Sequence, residues 1–491
     1  MKLKIKNFRF LSGKPVCIIH ENTAKKMSLH VANRVSIKNK NGRKIISVVD
    51  TSSGFLEPNE IAVSDEIIEI LGLHDKDKVD VTISDRPDSI ELIKKKLKGK
   101  TLSKKEITNI IEDIANNTLT EVEVAFFISA VYVHEMNLNE TKYLIDAMVN
   151  SGNHMNLKGK IVDKHCIGGI AGNRTTPIVV SICAEAGLIM PKTSSRAITS
   201  AAGTADAIET IAKVDFSIKK IKKIIKKTNA CFVWGGSLGL APVDDKIIKI
   251  EKVVNIDSTA QLLASILSKK ISVGSKYILI DIPYGKSAKV TKHEGEILRQ
   301  KFIKLGKKFK IEIAVMLTDG SEPIGNGIGP ALEIMDVIKV LKDQTGPKDL
   351  EEKSLLLAGK ILEISGKSKK GEGIKLASSI LYSGKAFGKF KQIIKAQKGK
   401  IKEIREPDFF YNINSEKNSK IKHLDNILIN HLARHAGCPE DKLAGVYLHK
   451  KKNDAVKKGD EIMTIYATTK EKLEYAKKFY KENMKEMILF Y

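Results

Sequence analysis

At 491 residues the chain exceeds what one hydrophobic core organises and implies roughly two to four domains, with 42% apolar residues to fill them. No apolar run is long enough to span a membrane, and the opening Met1-Lys2-Leu3-Lys4-Ile5-Lys6 alternates charge with apolarity instead of starting a signal peptide, so a cytoplasmic protein is expected. The formal charge of +26 raises nucleic-acid binding as a rival, but the lysines are spread along segments such as 218–227 and only one Trp is available to stack on bases. A solvated basic surface that also attracts anionic substrates is the better reading. The five cysteines, at 17, 166, 183, 231 and 438, show no CxxC spacing, so neither a zinc site nor a disulfide framework is indicated.

Residues 1–84 are β-rich, with short strands expected at 35–37, 45–49 and 79–83. From 92 to about 155 the period becomes helical. Ser103 with Glu106 and Thr120 with Glu123 form two capping boxes, and Asn139 is read as the cap of a third helix. Apolar Ile107, Ile110, Ile111 and Ile114 then face a small bundle, to which helical pattern at 242–271 adds a second piece.

Between these pieces the pattern is α/β. Ile161-Val162 leads into Asp163-Lys164-His165-Cys166-Ile167-Gly168-Gly169, a basic residue followed by paired glycines, as close backbone approach to an anion requires. Thr176 is read as an N-cap with Pro177 at the first helical position, so that the following helix, to about 186, aims its amides at the same loop. A strand at 188–190 feeds Ser194-Ser195-Arg196-Ala197-Ile198-Thr199-Ser200, and Gly203-Thr204-Ala205-Asp206 opens the next helix. Two anion-compatible turns thus follow two successive strands, on the edge where open parallel sheets gather ligands.

Beyond 275 the alternation resumes, with strands at 277–282 and 311–317 around a helix at 294–304 and helices at 355–362 and 374–381. The turns after these strands carry Tyr284-Gly285-Lys286-Ser287-Ala288-Lys289 and Thr318-Asp319-Gly320. Residues 396–491 are mixed α+β.

Asp163-Lys164-His165-x-x-Gly-Gly, the Ser-Arg turn, Gly203-Thr204-x-Asp206 and Ala264-Ser265-Ile266-Leu267-Ser268-Lys269-Lys270 together resemble the thymidine and pyrimidine-nucleoside phosphorylase family, and within it the archaeal AMP-phosphorylase branch. The resemblance covers nearly the whole chain. It implies an N-terminal β-rich domain at 1–84, which nucleoside-cleaving members generally lack, and a discontinuous helical domain at 85–157 and 242–272. A large nucleoside-phosphorylase-like α/β domain follows at 158–241 and 273–395, with a lipoyl-like α+β region at 396–491. It further implies AMP and inorganic phosphate as substrates, no cofactor or metal, no nucleic-acid or membrane partner, and a homodimer or larger homo-oligomer.

The resemblance also assigns residues. Lys164 anchors phosphate, and hydroxyls at Thr175, Thr176, Ser194 and Thr204 assist, although plain capping explains hydroxyls near helix starts equally well. Gly169 and the 194–200 turn complete the phosphate side, and His165 stays a site residue without a proton assignment. Asp257 would be the proton donor for the leaving base, with a helix N-cap as the plain alternative. Ser265 and Lys269, four residues apart on one helical face, would reach the base. Arg196 and Lys289 are candidates for a substrate 5′-phosphate, with an acidic structural partner as the alternative for Arg196 and one more solvated lysine as the alternative for Lys289. Cys166 replaces a serine usual in nucleoside phosphorylases, and Ile250 stands where pyrimidine-specific relatives have a base-reading arginine, which argues against strict pyrimidine recognition. A nucleoside phosphorylase and an anthranilate-phosphoribosyltransferase-like enzyme are the enzymatic alternatives. The latter's glycine-rich diphosphate loop and paired acidic magnesium site are not evident.

Overall fold

The computed structural model describes all residues except Ile198, Thr199, Asn255, Asp257, Lys402, Glu403 and Glu406. The chain divides into two compact units, Met1–Ser151 with Ala241–Ser265, and Gly152–Leu240 with Ile266–Tyr491.

In the first unit, alternation such as exposed Lys2, buried Leu3, half-buried Lys4 and buried Ile5 puts every second side chain inside a closed six-stranded barrel. Its order is Lys2–Ile5, Glu60–Val63, Val16–His20, Lys44–Ser52, Arg34–Lys38 and Lys78–Ile83, and the last strand pairs back with the first. The helices Ser89–Leu97, Lys104–Ala115, Glu121–Val133, Leu138–Asn150 and Pro242–Val254 follow. Ser103 and Thr120 form the expected capping boxes. The third box is built by Asn137, not Asn139: its side chain accepts from the amides of Asn139 and Glu140, so the helix starts two residues earlier than expected. Arg34 ties barrel to bundle by donating to the Thr118 carbonyl at 2.9 Å and pairing with Glu123.

The second unit is a doubly wound α/β layer. The parallel strands Glu312–Asp319, Tyr277–Tyr284 and Val162–Cys166 lie side by side, Met190–Ser194 pairs in parallel with Ala230–Trp234, and the Ile161 to Ile189 bridge joins the two groups. Numbered along the chain, the strands lie in the order 3-2-1-4-5. The direction of winding therefore reverses between Val162–Cys166 and Tyr277–Tyr284, and a crevice at the carboxyl ends of such a pair is where this architecture binds ligands. The helices Thr175–Glu185, Pro330–Lys342, Lys348–Ile364 and Lys385–Ala396 contribute to the apolar core around Val162, Ile178, Phe232, Leu279 and Phe390.

Two local expectations shift. The first-loop helix begins at Thr175 with Arg174 at the cap, so Thr176 and Pro177 lie inside the first turn. The strand read at 188–190 is Met190–Ser194, which puts Ser194 at its carboxyl end. The C-terminal region joins the α/β layer through an antiparallel sheet in which Gly327–Ile328 pairs with Gly445–Leu448, followed by Glu461–Ala467 and Phe409–Asn414. Among the described residues no helix is long and apolar enough to cross a membrane.

Candidate active site

Strand alternation sends Lys164 and Cys166 to one face of the sheet and Asp163 and His165 to the other. On the first face Lys164, 1% exposed, donates from Nζ to Thr175 Oγ1 at 2.8 Å, and Asn173 donates to Cys166 Sγ at 3.5 Å. On the opposite face the Asp163 carboxylate pairs with Lys192 at 3.2 Å and with Lys270 at 2.7 Å. Burial would raise Asp163, but Lys192 and Lys270 more than offset it and hold the carboxyl below its usual range. Burial pushes Lys270 down to about 7 although Asp163 opposes this. His165 is pushed well below the ordinary imidazole value by burial and then by Lys270, Lys192, Lys164 and Lys269, so it is neutral at pH 7. A neutral imidazole offers one donor and one acceptor and no charge.

Next to Thr175, the buried Arg174 reaches Thr204 Oγ1 at 2.7 Å, the Ala202 carbonyl at 2.7 Å and Glu333 Oε2 through Nε at 2.6 Å. Burial raises the Glu333 carboxyl to about 7 despite that arginine. The hydroxyl oxygens of Thr175 and Thr204 each accept from a cation, which leaves each hydroxyl proton free to donate elsewhere. Ser194 Oγ, at the end of its strand, is buried and has no hydrogen-bond partner among the described residues. Lys164 spends one of three ammonium donors on Thr175. The side chains therefore present unspent donors with excess positive charge, which suits a small oxyanion.

The glycine turn gives this face its backbone. Gly168 and Gly169 have φ of +92° and +90°, and a Cβ on Gly169 would lie 2.9 Å from the Lys289 amide nitrogen. The loops after the two switch-point strands thus touch through bare backbone. Lys289 itself is exposed at that contact.

The Ser-rich turn is held from inside by Asp206, whose Oδ2 accepts from the amides of Ala197 at 2.7 Å and Gly203 at 2.9 Å. Ser195 is exposed, and Ser200 donates to the Ala202 carbonyl. Arg196 is spoken for: it bonds Asp206 at 3.0 Å and grips both oxygens of Glu209 at 2.7 and 2.8 Å, while its guanidinium stacks 5.0 Å from the Trp234 ring. These pairings are the acidic structural partnership that the sequence left as the alternative for Arg196, and a guanidinium already paired with two carboxylates has less net charge to offer a substrate phosphate. Glu209, held by Arg196, drops to about 2.

Ser265 and Lys269 lie on the Thr259–Val273 helix. Ser265 donates to the buried Asp244 at 2.9 Å, and Lys269 is half-buried and contributes to the lowering of His165. Ile250 lines a cavity of about 980 Å³ within the first unit, together with Arg34, Arg86, Lys246 and Ile114. Asp257, Ile198 and Thr199 lie outside the described residues.

Sequence reasoning missed Arg174 and Lys192. Arg174 had a signal: a cation directly before the Thr175-Thr176 pair, at the start of a helix aimed at the loop. Lys192 had none, since its partner Asp163 is 29 residues away.

The doubly wound sheet offers an oxyanion-compatible crevice at its switch point, and comparison with known proteins gives the class, that of glycosyl-transferring enzymes. Residues 90–152 match the helical bundle domain of a glycosyl transferase family, 158–387 its a/b domain, and 421–486 the pyrimidine nucleoside phosphorylase C-terminal domain. The chain is 42% identical to the AMP phosphorylase of Thermococcus kodakarensis over 97% of its own length and 95% of that protein's, and 40% identical to AMP phosphorylase 1 of Archaeoglobus fulgidus over 95% and 93%. It belongs to the AMP phosphorylase family. Among solved structures, anthranilate phosphoribosyltransferase from Thermus thermophilus matches 62% of this chain and 99% of its own with a TM-score of 0.53 at 16% identity, a likeness of fold alone.

Proposed function

We propose that the enzyme phosphorolyses AMP to ribose 1,5-bisphosphate and adenine, with action on CMP and UMP as well. The observation that carries the phosphate half of this reading is the linked set Lys164, Thr175, Arg174 and Thr204, whose unspent donors adjoin a glycine turn. The nucleotide half rests on the likeness to relatives named AMP phosphorylase.

In this mechanism a phosphate oxygen attacks C1′ as the bond from C1′ to the base nitrogen breaks, and a proton reaches the departing base. Lys164 and the hydroxyls of Thr175, Thr204 and Ser194 hold the phosphate and keep it aligned. Lys164 is proposed as the catalytic cation, because it holds the phosphate and fixes its attacking oxygen in line with C1′. Asp257 is the proposed proton donor, and a carboxylic acid in that role needs its pKa raised by desolvation. Ser265 and Lys269 are proposed to contact the base. Lys289 is proposed to hold the 5′-phosphate, and its exposed position against Gly169 supports that. The four-segment domain division, a cytoplasmic location and self-association belong to the same reading. The exposed apolar stripe Val122, Phe126 and Val133, at 65, 53 and 67% exposure on one helix, supports a homo-oligomer.

The test offers AMP, CMP, UMP, adenosine and thymidine with inorganic phosphate to the wild type and to Lys289→Ala. AMP should be cleaved well and adenosine poorly. Loss of the ammonium should cut kcat/KM for AMP by roughly 10- to 150-fold, as a charge-assisted phosphate contact implies, and leave adenosine nearly unchanged. Equal cleavage of AMP and adenosine by the wild type would contradict the nucleotide reading.

A further inference from the structure

One face of the Asn426–His435 helix ends on the substrate-side loops. Asp425 caps this helix, accepting from the amides of Ile427 and Leu428 at 2.9 Å each, and so fixes Asn426 in its first turn. Asn426 and Asn430 are four residues apart, share a face, and are 0 and 2% exposed.

Asn426 Oδ1 accepts from the Ala171 amide at 3.0 Å, two residues beyond Gly169. Its Nδ2 donates to the Gly320 carbonyl at 3.0 Å and to Ser287 Oγ at 3.2 Å, and its own backbone amide meets the same hydroxyl at 3.2 Å. Asn430 Oδ1 accepts from the Ala201 amide at 2.9 Å, in the Ser-rich turn. Two buried side chains thus bind four of the turns at the carboxyl edge of the sheet: the glycine loop, the 284–289 turn, the 318–320 turn and the Ser-rich turn. The chemistry explains the residue type. Asn426 must donate and accept at once, which an ionised Asp cannot do, and a buried amide left unpaired costs the full desolvation of that group.

We infer that Asn426 and Asn430 are positioning residues of the phosphate site, setting the loops that carry Gly169, Lys289 and Thr204 without touching substrate. The inference rests on the phosphorylase reading for its kinetic consequence and on geometry alone for its structural one, so two readouts separate them.

The first readout is amide hydrogen exchange in the full-length protein. Asn426→Ala should speed exchange in the 167–172 loop and leave 200–203 protected, and Asn430→Ala should do the reverse. The second is kinetics, with melting temperature measured alongside. Asn426→Ala and Asn426→Asp should raise KM for phosphate and lower kcat/KM by roughly 10- to 100-fold, the scale of a small misplacement of reacting groups. Asn430→Asp, which keeps the acceptor for Ala201, should restore most of what Asn430→Ala loses. Unchanged exchange in both loops, or losses of activity that track melting temperature with phosphate KM untouched, would overturn the inference. Loop-specific exchange in the variants, together with a wild type that cleaves AMP without phosphate, would instead uphold the clamp and defeat the phosphorylase reading.

Discussion

Because side chains alternate along a strand, Lys164 meets Thr175 on one face while its neighbour His165 lies on the other, the face on which Asp163 pairs with Lys192 and Lys270. Adjacent letters in the motif therefore serve different neighbourhoods, and the sequence alone does not tell which neighbourhood each of them enters. Lys164→Ala removes a buried cation that holds the phosphate in line for attack, an effect of about 2–4 kcal/mol or roughly 30- to 1,000-fold in kcat/KM. The fold should persist, since the lysine's described hydrogen bond is a single one to a hydroxyl. Steady-state kinetics across phosphate concentrations checks this, and near-normal turnover at moderate phosphate would move the anchor elsewhere. Arg196 shows the limit of reading residues alone. Its partners Asp206 and Glu209 lie 10 and 13 positions ahead, and only the return of the turn brings them under the guanidinium.

Strands and capped helices were legible as elements, because apolar alternation and Ser-x-x-Glu patterns act locally, as at Ser103 and Thr120. Starts set by backbone geometry slipped: Asn137 and Arg174, not Asn139 and Thr176, sit at the caps. The loop-clamping asparagines were illegible because Asn426 and Asn430 meet their amide partners 255 and 229 positions away. The glycine turn, by contrast, was announced by its letters, and its geometry yields a controlled test. Gly169→Ala and Gly371→Ala both force alanine into positive φ, +90° and +87°, at a cost of about 1–3 kcal/mol each. Only at Gly169 does the new Cβ strike the Lys289 backbone, whereas Gly371 has open space around it. Both variants should lose melting temperature, but only Gly169→Ala should lose phosphorolysis, by at least about tenfold. Equal turnover by the two would show that the loop contact is immaterial to the site.

At the scale of the whole molecule, the +26 charge, the barrel with its helical partner and the doubly wound unit fit an enzyme whose overall field attracts anionic substrates. The fold class was legible because four motifs in order carried it, while the crevice depended on a strand order, 3-2-1-4-5, that only the pairing reveals. What most needs testing is that phosphate, not water, attacks the sugar of AMP. The decisive measurement is phosphorus NMR of the product formed from AMP and oxygen-18-labelled inorganic phosphate. Ribose 1,5-bisphosphate carrying the label in its 1-phosphate, including the oxygen that bridges to C1′, and adenine released in equal amount are predicted. Adenine released with unlabelled ribose 5-phosphate, at a rate independent of phosphate, would contradict it.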